Sequence, residues 1–382
     1  MVTSILDNDL YKFTMQQAAL KLYPGTKVTY KFINRGTQKF NERFLLKLIT
    51  NIKLFTNIKL TTKEYNFIQT IPFFQNWYIE YLKNYRFDPD EISLDLDKDN
   101  NLDLGISGDW DSSILWEVPL MATISEIYYE TIGNKGVSPS KYIMKRKAFE
   151  KGYFIDSLDT SCIEFGTRRR RSFSSQLCAN EGLSKYECYK GTSNVYMAMI
   201  NNSMPKGTMA HEWIQAISVL EGLRHVNRFA MEKWVDVYGG NLGIVLPDTY
   251  TLDVFLKDFS LQLAKLFDGV RHDSGDPIVF AKKIINHYKI LGIDPREKIL
   301  IFSDGISSIN TIKQISDFCK GKIKFSFGIG TWFTNDFDTE ALKIVIKMYS
   351  LNGINVVKVS DSPGKTMGHE EAIKVVNWTF NL

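Results

Sequence analysis

The sequence predicts an α/β fold with two parts: a closed or nearly closed (β/α) barrel and a mixed α/β unit beside it. Three observations carry this. From about residue 155, short β-like runs lead into Gly/Ser/Thr/Asp loops and then into helix-like segments, about seven times over. Residues 1 to about 135 lack that rhythm. Near the C-terminus the rhythm breaks again at a hairpin-like stretch around Asn352-Gly353. The expected organisation is a mixed α/β domain over 1–135, a barrel carrying the functional site over 136–340, and a segment over 341–382 that packs back on the first domain and completes it.

The first part opens on "DNDLYKFTMQQAALKLY". Asp7 or Asp9 can cap a helix in which Leu10, Phe13 and Gln17 recur at helical spacing. "KVTYKFIN" alternates as a half-buried strand does. Helices and their connections are expected between 40 and 85, where "TNIKLF" and "TNIKL" echo each other over a length too short for a structural repeat. "ISLDLDKDNNLDLGIS" reads as a hairpin turning at Asn100-Asn101. Its aspartates mimic a calcium loop, but Asn100 stands at the required glycine and Ile106 at the final acid. "SSILWEVPLMATISEIYYETI" follows as a long helix with Pro119 near its start.

In the second part, polar residues gather where the strands end: "SCIEF" into "GTRRR", "YECYK" into "GTSN", "LGIVL" into "PDTYT", "KILIF" into "SDGISS" and "KIKFSF" into "GIGTWF". "MPKGTMAHEW" opens a helix, and "LFDGVRHDSGDP" opens another. Function in a (β/α) barrel sits at the strand C-termini, where these motifs fall.

Composition limits the function. The chain has 382 residues, 44% apolar and 24% charged, with a net charge of +4. That balance fits a globular protein with an ample core and gives no support to a dedicated nucleic-acid binder. Cys162, Cys178, Cys188 and Cys319 form no C-x-x-C pair, so neither a zinc site nor a disulfide framework is expected. No run approaches the ~18 apolar residues of a membrane span, and no signal peptide is read, so the expected compartment is the cytoplasm.

Three familiar motifs fail. "SDSPGKT" lacks the first P-loop glycine, where Val359 stands. "HEWIQ" has Gln215 in place of a second zinc-binding histidine. "SFGIGT" has the wrong spacing for a dinucleotide fingerprint. What remains suits anions. Gly305 in "SDGISS" and Gly328, Gly330 and Thr331 in "GIGT" let backbone N–H groups approach a phosphate. Arg168 and Arg169 follow a strand-ending Gly166-Thr167 and can clamp phosphate or carboxylate. Consecutive side chains diverge, so one or two of the four arginines are expected to face a ligand and the others to sit in surface ion pairs. His211 opens a helix after Thr208, and Arg271, Asp273 and Asp276 cluster in "VRHDSGDP", the aspartates either as caps or as ligands of metal-bridged phosphates.

Taken in order, "DNDLYKFTMQQA", "EFGTRRRRS", "GTSN", "GTMAHEW", "VRHDSGDP", "FSDG", "SFGIGT" and "KVSDSPGK" resemble the nicotinate phosphoribosyltransferase family from Asp7 to about Lys365. The resemblance implies the irregular α/β barrel of the type II phosphoribosyltransferases. It implies conversion of nicotinate and phosphoribosyl pyrophosphate to nicotinate mononucleotide and pyrophosphate, coupled to ATP hydrolysis, with Mg²⁺ expected and its ligands open. It implies a histidine phosphorylated by ATP, at His211. Tyr11 and Phe165 would face the pyridine ring from either side, and Thr208 and Arg271 would lie at the nicotinate site. Ser193 would stand where nicotinamide enzymes present an aspartate. Arg168, Asp273, Gly305, Gly328, Gly330 and Thr331 would line the phosphoribosyl region, with Arg169 beside them. Arg35 would reach phosphates, in homodimeric relatives those of a neighbouring subunit; monomeric relatives remain an alternative. The competing readings are nicotinamide phosphoribosyltransferase and a catalytically silent binding protein.

Overall fold

The structure, a computed structural model, describes residues 1–132, 137–362 and 364–382. The expected domain boundary at 135–136, and Pro363 of "SDSPGKT", lie outside the described residues. The strands are β1 (Lys27–Asn34), β2 (Ile92–Leu96), β3 (Leu102–Asp109), β4 (Cys162–Glu164), β5 (Tyr189–Thr192), β6 (Ile244–Val245), β7 (Gly269–His272), β8 (Ile299–Phe302), β9 (Lys324–Ile329), β10 (Ile344–Leu351) and β11 (Ile354–Asn355).

They form two sheets. The first is antiparallel, in the order β11-β10-β1-β3-β2. Val28 and Tyr30 of β1 are buried and Lys27 and Lys31 exposed, the alternation the sequence predicts. β2 and β3 form the expected hairpin. Asp97 accepts from the backbone N–H of Asp99 and Asn101, both at 2.8 Å, so the acidic run serves the turn. β10 and β11 turn at Asn352 and Gly353, both at positive φ, as a two-residue hairpin requires. β10 pairs with β1 from Val28↔Leu351 to Asn34↔Ile344, which brings the C-terminal segment onto the first sheet.

The second sheet is parallel, in the order β5-β4-β9-β8-β7-β6. The barrel is open among the described residues, because β5 and β6 are edges that do not pair. The sequence rhythm suggested about seven βα units, and the sheet has six strands. The difference lies at "MPKGTMAHEW", where the chain enters the helix His211–Leu220 from a segment with no strand of its own. Pro205 and Gly207 resist ladder pairing there. Helices occupy 40–85 as expected: Glu42–Leu54, Thr62–Ile68 and Asn76–Asn84. The apolar run after β3 gives the helix Glu117–Thr131, with Pro119 in its first turn.

The first helix, Leu10–Leu22, has Asp9 at its N-cap position, but the Asp9 side chain does not cap it. The carboxylates expected to cap are used elsewhere. Asp7 forms a two-bond ion pair with Arg170, Nη1 to Oδ1 and Nη2 to Oδ2, both at 2.7 Å. Asp9 accepts from Thr167 and Ser193, both at 2.8 Å.

The arginine run is the main correction to the sequence reading. Arg170 and Arg171 are not in surface ion pairs; their exposures are 0% and 2%. Arg170 also donates to Gln176 at 2.8 Å, and its guanidinium lies 5.2 Å from the Phe173 ring. Arg171 stacks at 3.6 Å on Tyr129 and donates to the Thr339 carbonyl. The last two arginines of the run both turn into the protein, in different directions, one to Asp7 and the other to Tyr129.

Two expectations follow. Asp7→Ala or Arg170→Ala should cost about 3–5 kcal/mol in denaturant unfolding, because each leaves a buried charge unpaired. Replacing both together should cost less than the sum of the two. At β9, a Cβ on Gly328 would overlap the Phe165 ring, whose backbone N–H donates to Ile329 at 2.8 Å. Gly328→Ala should therefore cost ~1–3 kcal/mol, and Phe165→Ala in the same chain should recover part of it.

Candidate active site

The strand ends of the parallel sheet and the first helix enclose a cavity of about 370 Å³. Eight of the site residues predicted from the sequence line it, Tyr11, Phe165, Arg168, Ser193, Thr208, His211, Arg271 and Asp273, and Asp9 joins them. Tyr11 reaches the cavity of its own chain, because the backbone just before it is tied to the barrel. Leu10 donates to the Ser193 carbonyl at 2.8 Å, and Val195 to that of Asn8 at 2.9 Å. Among the described residues the buried Tyr11 hydroxyl has no hydrogen-bond partner, and the Arg168 guanidinium lies 6.0 Å from its ring.

Ser193 does not offer a free hydroxyl to the cavity. It donates to Asp9, and Thr167 donates to the same oxygen. Burial pushes the Asp9 carboxyl up to about 6, although Arg168, Thr167 and Ser193 all favour its charged form. The position read as free of negative charge therefore has a carboxyl group beside it. Thr208 is also engaged, donating to the Ile244 carbonyl at 2.6 Å.

His211 is the first residue of its helix and is buried. Nδ1 lies 2.9 Å from Thr249 Oγ1, and Nε2 lies 3.0 Å from Asp273 and 2.8 Å from Lys358 Nζ. Nε2 thus faces both an acceptor and a donor. Burial and the Lys358 charge bring the imidazole down to about 4, against the pull of Asp248 and Asp273, so it is neutral at physiological pH. Asp273 also accepts from Arg271 at 3.2 Å and is held well below the usual carboxylate range: burial would raise it, but Arg271 and His211 prevail. Asp276 does cap a helix, accepting from Ile278 and Val279.

Beneath the cavity lies a charge group the sequence reading missed. Lys12, fully buried, is 2.5 Å from Glu117 and also bonds Glu212, which accepts from Tyr30 and Trp110. Glu117 is shared with Arg168 at 3.3 Å. Burial would raise the Glu117 carboxyl, but Lys12, Lys347 and Arg168 bring it down to about 2. Asp248, Lys347 and Lys358 were missed too. For Glu117, Lys347 and Lys358 the signal is a single charge inside an apolar run, "ILWEVPLM", "IVIKMY" and "INVVKV".

Other predicted residues stand outside the cavity wall. Gly328 gives room to Phe165, and Gly330 lies under the Phe165 carbonyl. Thr331 begins the short helix Thr331–Thr334, and Gly305 sits at positive φ in an exposed turn. Burial and the nearby charges of Arg168 and Arg35 lower Arg169 to about 10, so these three arginines lie close together. Arg35 itself reaches the Met367 sulfur at 3.5 Å.

His211, Asp248 and Asp273 bring ligand atoms within 4.8 Å of one another. They do not fit Mg²⁺, which favours an octahedron of oxygens. One of the three is an imidazole, and the Lys358 ammonium already lies 2.8 Å from it and 3.4 Å from Asp248.

Two family models match most of the chain. Residues 6–125 match the model of the nicotinate phosphoribosyltransferase N-terminal domain, and residues 160–382 match that of the nicotinate phosphoribosyltransferase family. The chain is 47% identical to the nicotinate phosphoribosyltransferase of Methanococcoides burtonii, over 100% of this chain and 98% of that one. It is 44% identical to the one of Methanosarcina mazei, over 99% and 98%. The crystal structure of nicotinate phosphoribosyltransferase from Porphyromonas gingivalis superposes with a TM-score of 0.96 at 38% identity, covering 100% of both chains. That from Vibrio cholerae gives 0.92 at 32% identity, covering 99% and 94%. With both parts of the chain matched and the whole fold shared, this protein belongs to the nicotinate phosphoribosyltransferase family.

Proposed function

We propose that the protein joins nicotinate to phosphoribosyl pyrophosphate, giving nicotinate mononucleotide and pyrophosphate, and that it hydrolyses ATP through a phosphohistidine at His211. The observation that carries this reading is the cavity itself. Motifs scattered over the chain bring two aromatic rings, Tyr11 and Phe165, two arginines, Arg168 and Arg271, and a neutral histidine to one place.

The chemistry suits these groups. The pyridine nitrogen attacks C1 of the sugar and the C1–pyrophosphate bond breaks through an oxocarbenium-like state. The nucleophile needs no base, so the residues' work is to hold the ring in line and to balance the charge of the departing diphosphate. Tyr11 and Phe165 would face the ring, and Arg168 and Arg271 would meet carboxylate or phosphate oxygens. Mg²⁺ is expected to arrive on the substrate phosphates rather than in a protein cage, as is common for this ion. In the coupled step, a His211 nitrogen would take the γ-phosphoryl group of ATP, releasing ADP, and Lys358 would offset the charge gained. Four free, buried cysteines suit a reducing, cytoplasmic setting, and no helix among the described residues is long and apolar enough to cross a membrane.

Product analysis with nicotinate, phosphoribosyl pyrophosphate and Mg²⁺, with and without ATP, tests the reaction directly. Nicotinamide should be used at least ~100-fold less well in kcat/KM, since it leaves a desolvated arginine without its counter-ion. Equal use of the amide would favour the nicotinamide reading.

Labelling with γ-labelled ATP should give acid-labile label that His211→Ala abolishes. Because the imidazole stays neutral to about pH 4, labelling should hold steady from pH 7.5 to 5.5. A histidine of ordinary pKa would lose roughly tenfold over that range. Label retained in the alanine variant would move the acceptor elsewhere.

A further inference from the structure

The stretch "PDTYT" follows β6 and brings Thr249 against His211. Thr249 is fully buried and is not part of the cavity wall. Its Oγ1 lies 2.9 Å from Nδ1, and among the described residues it is the one hydrogen-bond partner of that nitrogen. Nε2, on the other side of the ring, meets Lys358 and the cavity-lining Asp273.

One piece of backbone sets partners for both nitrogens. Val359 donates to the Thr249 carbonyl at 2.8 Å, and Thr251 donates to that of Val359 at 3.1 Å. The neighbouring Lys358 is bonded both ways to Met367, each at 2.9 Å. The C-terminal segment thereby fixes Thr249 at Nδ1 and Lys358 at Nε2 together.

A neutral imidazole carries one ring proton, on one nitrogen or the other. Nε2 can attack phosphorus only when that proton is on Nδ1, because a nitrogen bearing hydrogen has its electron pair tied into the ring. The groups at Nε2 pull opposite ways. Asp273, at 3.0 Å, favours an Nε2–H, and Lys358, at 2.8 Å, donates to a bare Nε2. Asp248 lies farther away, at 3.7 Å. The contact at Nδ1 then tips the balance. A buried Nδ1–H needs an acceptor, and the Thr249 oxygen supplies it. A hydroxyl can also donate to a bare Nδ1, but that tautomer sets an Nε2–H against the Lys358 ammonium.

We propose that Thr249 is a positioning residue for His211: it accepts the Nδ1–H and so leaves the Nε2 electron pair free for phosphoryl transfer. The proposal rests on the phosphohistidine step proposed above. In that step Nε2 bonds to the γ-phosphorus, and the bond from that phosphorus to the bridging oxygen breaks. ADP leaves with the electron pair, and the ring gains positive charge. The Nδ1 proton stays in place, and its bond to Thr249 strengthens as that charge develops. Water then takes the phosphoryl group, releasing phosphate and a proton, and the electron pair returns to Nε2. No proton has to cross the imidazole in either half of the cycle.

The test compares wild type with Thr249→Val, which has nearly the same shape without the hydroxyl, and Thr249→Ser, which keeps it. Melting curves confirm folding. Thr249→Val should slow labelling from γ-labelled ATP about ten- to hundredfold at saturating ATP, because its Nδ1–H is buried without an acceptor. KM for ATP should change by less than about threefold, because Thr249 lies outside the cavity and acts through the ring. Thr249→Ser should recover most of the rate. Nitrogen NMR with isotope-labelled histidine reads the tautomer directly, with His211→Ala marking which signals belong to His211. Wild type should carry the proton on Nδ1, and Thr249→Val should shift population toward Nε2–H. A labelling rate in Thr249→Val equal to wild type, or a loss that Thr249→Ser shares in full, would overturn the proposal. So would an Nε2–H ring in wild type, and that measurement decides alone if Thr249→Val does not fold. If wild type takes no label from ATP, the phosphohistidine reading is what has failed. The tautomer comparison then tests Thr249 by itself, and the same tautomer in wild type and Thr249→Val overturns its role.

Discussion

A guanidinium taken fully out of water must be matched, and the match between Arg170 and Asp7 holds the rest of the site in place. Arg170 follows the end of β4, and Asp7 lies in the N-terminal segment before the first helix. Their two parallel hydrogen bonds fix distance and angle together. Asn194 donates to the same Asp7 carboxylate at 2.8 Å, which ties in the loop after β5 as well. Once that clamp is closed, Asp9 meets Thr167 and Ser193, and Tyr11 must enter the cavity next to Arg168. The cavity wall around Tyr11 is thus held by an ionic interaction whose two partners do not themselves line the cavity.

The same principle operates a second time around Lys12. Its ammonium lies between Glu117 and Glu212, so the three residues join three helices. Apolar packing tolerates small slips, whereas a buried ammonium between two carboxylates does not. Glu117 passes this constraint to Arg168, and Glu212 neighbours His211 on its helix. Cavity-facing groups are therefore held from behind by charges inaccessible to solvent. Such support keeps a site preorganised for a charged transition state, since little needs to rearrange when charge develops.

The four arginines in a row show how one short motif divides its work. Arg168 faces the cavity, Arg169 the crowded edge near Arg35, and Arg170 and Arg171 the interior. Successive residues in a tight turn must diverge, so a single run of like charge supplies both cavity-facing and structural cations.

Much of this was legible in the residues themselves. The strand–loop–helix rhythm announced a parallel sheet, the Asn352-Gly353 pair a hairpin, and the motifs at strand ends the residues that share the cavity, because local propensity and backbone sterics act over a few positions. The division of roles was not legible. Asp7 and Asp9 looked like helix caps because the sequence shows a carboxylate before a helix; only the fold shows a buried guanidinium and two hydroxyls waiting for them. Ser193 looked free to meet a ligand, and its hydroxyl is spent on Asp9. Lys12, Glu117, Lys347 and Lys358 stood as lone charges in apolar stretches, and nothing along the chain names their partners. Burial and pairing are set by residues far apart along the chain, 163 positions for Asp7 and Arg170 and 200 for Lys12 and Glu212, so the energy that decides where a charge goes belongs to the tertiary structure.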